Sequence, residues 1–198
     1  MDDIKIDSII TVVADYNKQA VNETDRKLDA FLQAFKKEFN SDNILIEAET
    51  ITWALFQPVL SLYANGNNSS VIIELYSILE KFIIHIFPKI VSKDKKAYSV
   101  VHNLVERKNL LDIAPILVEL RVWTSTDLVK LKHLVKLRNG IAQKNEKLIS
   151  KALNGGKETH YLDINQIVEK FDTISYILLS VKLLVKLTDI MKDENLYS

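Results

Sequence analysis

Three polar residues, Arg138, Asn139 and Gln143, lie within six positions of one another in a segment that is otherwise rich in apolar residues. A guanidinium stays charged at physiological pH, so on a core-facing helix it needs a carboxylate, a phosphate or a hydrated cleft. Asn139 and Gln143 are four residues apart and therefore share one side of a helix. The spacing predicts a site in which Arg138 contacts an anion and two amides lie beside it.

Arg138 is expected on the midline of an apolar helix face. At about 100° per residue, six apolar side chains align with it, namely Leu128, Leu131, Leu134, Val135, Ile141 and Ala142. The surrounding charge is uneven, because the stretch from Lys130 to Lys157 holds eight basic residues and one acid, whereas the whole chain has zero formal net charge. The pattern predicts a basic patch around Arg138, although a solvated helix face explains such a run equally well.

The rest of the chain predicts the helices that would position this segment. Hydrophobic periodicity places helices at about 8–39, 47–64 with a bend or restart at Pro58, 71–86, 97–108, 112–123, from 125 or 126 to just before 154, and 163–192. We expect Ser69 or Ser70 to cap the helix at 71–86 and Pro88 to follow its end. That helix is apolar almost all round, so it belongs at the centre of a bundle. The fold class predicted is an all-α helical bundle.

Composition excludes several classes of protein. The 198 residues include no cysteine, which rules out disulfides, thiolate zinc sites and a cysteine nucleophile. The most apolar stretch, 174–190, is interrupted by Lys182 and Lys186 and is shorter than a membrane span, so it predicts a buried helix. The first residues carry no secretory signal pattern. A cytoplasmic protein without a membrane segment is expected.

No cofactor or metal motif stands out. The chain has no P-loop, dinucleotide fingerprint or nucleophile elbow, and no two of its four histidines have metal-ligand spacing. His133 lies roughly opposite the apolar stripe of its helix, which predicts a solvent-facing side chain. We therefore expect neither a metal nor a cofactor.

A central apolar helix, a short helical pair and a helix closing in Leu137-Arg138-Asn139-Gly140-Ile141-Ala142 follow one another in this chain. This order resembles the HEPN superfamily of helical-bundle proteins, many of which are metal-independent endoribonucleases of toxin–antitoxin and antiviral systems. The family signature is an arginine, commonly followed by asparagine, aspartate or histidine, and then a histidine after four to six intervening residues. Arg138-Asn139 matches the first half, but Gln143, Lys144 and Asn145 hold the three positions of the histidine.

The resemblance covers about residues 70–190. It divides the chain into an N-terminal helical extension at 1–66 and a HEPN-like helical bundle at 67–198.

The resemblance implies a role for each residue. Two motifs would face each other across a homodimer, with Arg138 on the scissile phosphate of RNA, Asn139 supporting it and Gln143 in the proton-transfer position. Glu80 or Glu74 on the central helix would orient the arginine. Basic side chains that would bind RNA are Lys130, Lys136, Lys144 and Lys147. Because glutamine does not titrate near neutrality, the site is expected to bind RNA and to cleave it weakly or not at all.

Other interpretations stay open at this point. Arg138 paired with Glu74 or Glu80 would be a structural ion pair. A non-catalytic module would use the apolar seam to bind a partner protein, such as an antitoxin or another defence-system protein. Gln143 fits either a natural inactive member or a deliberate His→Gln change, and His160 is a substitute acid for the missing histidine.

Overall fold

A computed structural model describes residues 22–40, 42–92, 94–145, 147–149 and 172–193, and every regular element in those ranges is an α-helix. The principal helices are α1 (22–38), α2 (Asp42–Leu55), α3 (Gln57–Ala64), α4 (Asn68–Val91), α5 (Lys95–Val105), α6 (Leu110–Glu119), α7 (Ser125–Ala142) and α8 (Thr173–Asp193). The predicted all-α class is confirmed. No helix in the described ranges is both long and apolar enough to cross a membrane.

Helix α4 is the centre of the bundle, as its sequence predicted. It packs against α3, α5, α7 and α8, and α8 also packs against α2. Val71, Ile72, Leu75 and Leu79 are each fully buried on α4. Burial on several sides requires apolar residues around most of the helix, and this explains why α4 lacks a clear polar face.

The N-terminal helices share this core. Phe31, Phe35 and Phe39 recur every four residues on α1 and the residue that follows it, and all three are buried. Their rings meet at centroid distances of 5.7 Å and 4.8 Å. They belong to the same continuous hydrophobic cluster as Leu131 and Leu183. Residues of the predicted extension and of the predicted bundle therefore form one core.

The break between α2 and α3 lies where the proline predicts it. Helix α2 ends at Leu55, and α3 begins at Gln57 with Pro58 in its first turn. A proline there sacrifices no helical hydrogen bond because the first N–H groups of a helix have no partner within it. The buried Phe56 joins the two helices, and the predicted restart at Pro58 is confirmed.

Several predicted helix limits were wrong, including the start of α2, which is at Asp42 and not near 47. Asn67, rather than Ser69 or Ser70, caps α4, since its side chain accepts a hydrogen bond from the Ser70 N–H. Helix α4 also continues through Pro88 to Val91, because a proline near the C-terminus removes one hydrogen bond without preventing a last turn. Helix α7 ends at Ala142, well before residue 154. The expected start of the last helix at 163 lies outside the described residues.

The end of α7 has a specific backbone cause. Lys144 adopts a left-handed conformation with a φ of 49°. The Asn145 N–H donates to the Gly140 carbonyl at 2.8 Å, and the Lys144 N–H donates to the Ile141 carbonyl at 3.0 Å. These two bonds form a Schellman motif, which satisfies the last carbonyls and turns the chain away from the helix axis.

A buried ion pair fixes the start of α7 to α8. Thr124 and Asp127 form a capping box, and Lys186 donates to the Asp127 carboxylate at 2.5 Å. Burial raises the pKa of the Asp127 carboxyl, but the hydrogen bonds from Lys186 and Thr124 more than compensate and hold that pKa below its ordinary value. Lys186, one of the two lysines that interrupt the apolar run of α8, is therefore the partner of a buried carboxylate.

Replacing Asp127 by asparagine should lower the free energy of unfolding by about 2 kcal/mol at neutral pH, because it leaves Lys186 without its charged acceptor. The folded-state pKa of Asp127 is depressed, so its stabilisation is present above the ordinary pKa of 3.8 and is lost as pH falls through the folded value. Denaturant unfolding of both proteins at several pH values should show the difference shrinking below about pH 4.

Lys182→Gln is the control for this experiment. Lys182 is on the same helix as Lys186 and pairs with Glu38 of α1. Both side chains of that pair are about two-fifths exposed (43% and 40%). Solvent screens an exposed pair, so the loss should stay below about 1 kcal/mol. An equal loss in the two variants would contradict a special role for the buried pair.

Candidate functional site

Arg138 lies where α7 packs against α4. It projects from α7 towards α4, and its guanidinium carbon is 4.6 Å from the ring centroid of Tyr76. The side chain is partly buried. A cation over an aromatic face contributes about 0.5 to 2 kcal/mol, more as water is excluded. Tyr76 therefore supplies part of the stabilisation that burial of this charge requires.

Tyr76 also connects Arg138 to an acid. Its hydroxyl donates to Glu80 Oε1 at 2.7 Å, one turn further along α4. Burial, followed by the hydrogen bond and charge of Glu80, raises the pKa of Tyr76 to about 12, against a smaller lowering effect of Arg138. The hydroxyl therefore stays protonated at neutral pH and holds its hydrogen bond to the carboxylate.

The expected direct ion pair is absent from the part of the chain that the structure describes. Neither Glu74 nor Glu80 lies among the carboxylates within 4.0 Å of a basic group there. Glu80 reaches Arg138 only through the ring of Tyr76, and Glu74 is partly buried elsewhere on α4. The interpretation of Arg138 as half of a structural salt bridge is therefore wrong for these two acids.

The guanidinium keeps unused donors. Its Nη1 donates to Asn139 Oδ1 at 3.0 Å, so the neighbouring amide fixes one edge of the group. Its Nε is buried and has no hydrogen-bond partner among the described residues. Because Nε is shielded from solvent, an external acceptor would have to bind through the terminal Nη nitrogens of the guanidinium. Arg138 and Asn139 are brought together as the sequence predicted.

Gln143 lies at the C-cap of α7, one residue beyond the helix. Its backbone N–H donates to the carbonyl of Asn139 at 3.0 Å, and its side chain is exposed. Lys144, in the left-handed position, and Lys147 are exposed as well. The second half of the motif therefore falls on the turn that ends α7, where side chains meet solvent.

The predicted basic patch is divided between two faces of α7. Lys130 and Lys136 line a cleft between α7 and α8 together with His133. At about 100° per residue, Lys130, His133 and Lys136 lie about 80°, 140° and 160° from Arg138 around the helix. The geometry therefore separates these two lysines from Arg138.

His133 corrects a sequence prediction. It is partly buried, and its Nδ1 is hydrogen bonded to the Tyr176 hydroxyl of α8, although its position opposite the apolar stripe predicted a solvent-facing side chain. His133 does lie opposite the apolar stripe of α7, but α8 covers part of that face of the helix. No local signal identified Tyr176 as its partner, and the same holds for Tyr76 as the partner of Arg138.

The apolar seam beside Arg138 belongs to the core. Leu131 and Leu134 are fully buried, and Val135 is nearly so. A partner protein bound through this seam would have to displace α4 or α8. The alternative of an interaction module that uses this seam is therefore not supported by the packing.

Gly140 allows the chain after α7 to approach the motif closely. A Cβ placed on Gly140 would lie 2.7 Å from Ile149 Cγ1 and 3.1 Å from the Ile149 backbone nitrogen. Ile149 is fully buried. The glycine two residues after Arg138 thus lets segment 147–149 pack directly against α7.

No family model matches the chain, and searches of curated proteins and of solved structures find no match either.

Gly140→Ala should lower the free energy of unfolding by about 1 to 2 kcal/mol. Overpacking costs about 1 to 3 kcal/mol, which outweighs a gain in helix propensity of at most about 1 kcal/mol. Chemical denaturation of single and double variants tests the cause. In an Ile149→Ala background, which removes Cγ1, the penalty of Gly140→Ala should fall by at least half. An unchanged penalty would place the clash elsewhere.

Proposed function

We propose that this protein is a HEPN-like, RNA-directed protein of a toxin–antitoxin or phage-defence type, in which Arg138 binds a phosphate of RNA. The observation that supports it most is the guanidinium itself, which is partly buried over Tyr76 and has no carboxylate within 4.0 Å among the described residues. Such a group is stabilised by a bound anion, and its planar fork matches two phosphate oxygens.

Asn139 serves as a positioning residue in this proposal. Its Oδ1 accepts from Arg138 Nη1, which fixes the rotation of the guanidinium and leaves the amide nitrogen for the ligand. The Tyr76 ring packs against the Arg138 guanidinium, and Glu80 is hydrogen bonded to the Tyr76 hydroxyl. The carboxylate therefore does not neutralise the arginine. The site therefore keeps its positive charge available to a phosphate.

Gln143 limits what such a site does chemically. Metal-free cleavage of RNA requires one group to remove a proton from the 2′-hydroxyl and another to protonate the leaving oxygen. A glutamine amide forms hydrogen bonds but exchanges no proton near neutral pH. The function proposed is therefore binding of RNA with weak or absent cleavage, by a homodimer in which two Arg138 motifs face one another.

Arg138→Ala should weaken binding of a short single-stranded RNA by about tenfold or more, because a charge-assisted contact to phosphate contributes about 1.5 to 3 kcal/mol. Fluorescence anisotropy at low salt measures the affinity, and circular dichroism confirms that the variant is folded. Arg107→Ala is the matched control, since Arg107 is an exposed arginine in the turn after α5. Equal affinities in the wild type, Arg138→Ala and Arg107→Ala would overturn the proposal.

Gln143→His should create cleavage of the same RNA in the presence of EDTA, by about 10² to 10⁴-fold over the wild type. The product should end in a 2′,3′-cyclic phosphate, because the 2′-oxygen displaces the 5′-oxygen of the next nucleotide. The double variant Gln143→His/Arg138→Ala should lose this activity. Cleavage that survives removal of Arg138, or no cleavage by a folded Gln143→His dimer that binds RNA, would contradict the assigned roles.

A further inference from the structure

A cleft lies between α7 and α8, on a different face of α7 from Arg138. It has a volume of about 670 Å³, within the range of about 300 to 1,000 Å³ that is typical of small-molecule sites. Its walls combine lysines, a pair of aromatic rings, a carboxylate with a hydroxyl, and two apolar side chains. Nothing in the proposed role of Arg138 uses these residues.

The α7 side of the cleft is strongly basic. Lys130, Lys132 and Lys136 all line it, and the single described carboxylate there is Asp172 on the opposite side. All three lysines are exposed, so their ammonium groups are free to move towards a ligand. Three compact cations around one concavity favour a ligand with a doubly charged group such as a phosphate monoester.

The inner wall of the cleft is flat and aromatic. The rings of His133 and Tyr176 lie edge to edge, with a centroid distance of 6.0 Å and an interplanar angle of 27°, and the Tyr176 hydroxyl is hydrogen bonded to His133 Nδ1. This bond ties α7 to α8 and fixes both ring planes. The buried Leu179 and the 66%-exposed Val129 add apolar surface beside them. A planar heteroaromatic group is the ligand chemistry that suits such a wall.

The far side of the cleft offers hydrogen-bond acceptors. Asp172 precedes α8, and its carboxylate accepts from the Ser175 backbone N–H at 3.2 Å and from the Ser175 hydroxyl. Each carboxylate oxygen has a second lone-pair direction, and the exposed pair faces the cleft opposite the lysines. This end of the cleft would accept hydrogen bonds from an amine or a ribose hydroxyl of the ligand.

We propose that the α7–α8 cleft binds a nucleotide, with its phosphate on Lys130, Lys132 and Lys136 and its base against the Tyr176–His133 wall. The chemistry recognised is the same whether the nucleotide is free or is one unit of an RNA strand. The site is independent of the function proposed for Arg138, because Lys130, Lys132, His133 and Lys136 lie between about 80° and 160° from Arg138 around α7.

Isothermal titration calorimetry with adenosine 5′-monophosphate, adenosine and inorganic phosphate tests the site. The nucleotide should bind at least tenfold more tightly than either fragment, because it alone engages the lysines and the aromatic wall together. The variant Lys130→Gln/Lys132→Gln/Lys136→Gln should weaken binding of the nucleotide by about tenfold or more and leave the weak binding of adenosine unchanged.

A matched variant controls for net charge. Lys95→Gln/Lys96→Gln/Lys108→Gln removes the same three charges from exposed positions on α5 and the turn after it, and should leave nucleotide affinity within twofold of the wild type. Equal losses in the two triple variants, or phosphate bound as tightly as the nucleotide, would overturn the proposal. Nucleotide binding should also persist in Arg138→Ala, so failure of one site does not imply failure of the other.

The position of the ligand has its own readout. The imidazole resonances of His133, assigned with His133→Gln, should shift on addition of the nucleotide, and those of His85 and His102 should not. These two histidines stack on each other between α4 and α5. A short RNA that displaces the nucleotide from the cleft at lower concentration identifies the strand as the source, and the absence of displacement identifies the free nucleotide. No shift at His133 at saturating nucleotide would place binding elsewhere and overturn the assignment.

Discussion

A permanent positive charge placed between packed helices restricts everything around it. Arg138 is on a helix whose buried residues are leucines, a valine, a glycine and the ion-paired Asp127, so only part of its guanidinium can contact bulk water. The protein meets this constraint with the face of Tyr76 and one amide oxygen, and it uses no carboxylate among the described residues for the purpose. An ion pair would have neutralised the charge. A cation–π contact stabilises the group and leaves its charge available.

Holding that charge in place requires α7 to be fixed at both ends. At its start, Asp127 joins the capping box to Lys186 of α8, so the helix cannot rotate without breaking a buried ion pair. At its end, Gly140 admits Ile149 to a distance that a side chain would prevent. A guanidinium anchored in this way loses little further conformational entropy when it binds, which is the general advantage of a preorganised contact.

Periodicity predicted the helical class, the central place of α4 and the restart at Pro58, because these depend on which side of a helix is apolar and on where a proline can stand. It also paired Arg138 with Asn139, which are adjacent in the chain. It did not predict Tyr76 or Tyr176 as partners, since the angle of a residue around its own helix does not say which helix lies opposite. The end of α7 was also missed, because a left-handed lysine leaves no signal of the kind that glycine gives.

The two sides of α7 show how one basic run can serve two chemistries. A run of lysines in the sequence suggests one patch, but a helix distributes it by angle, and the lysines around His133 face α8 while Arg138 faces α4. Exposed lysines attract anions over a distance limited by the Debye length of about 8 Å at physiological salt. A partly buried arginine interacts with an anion mainly in direct contact, and its planar guanidinium requires a more specific orientation of that anion. If both sites bind phosphate, the lysine cleft should therefore be the more sensitive to salt and Arg138 the more sensitive to ligand geometry.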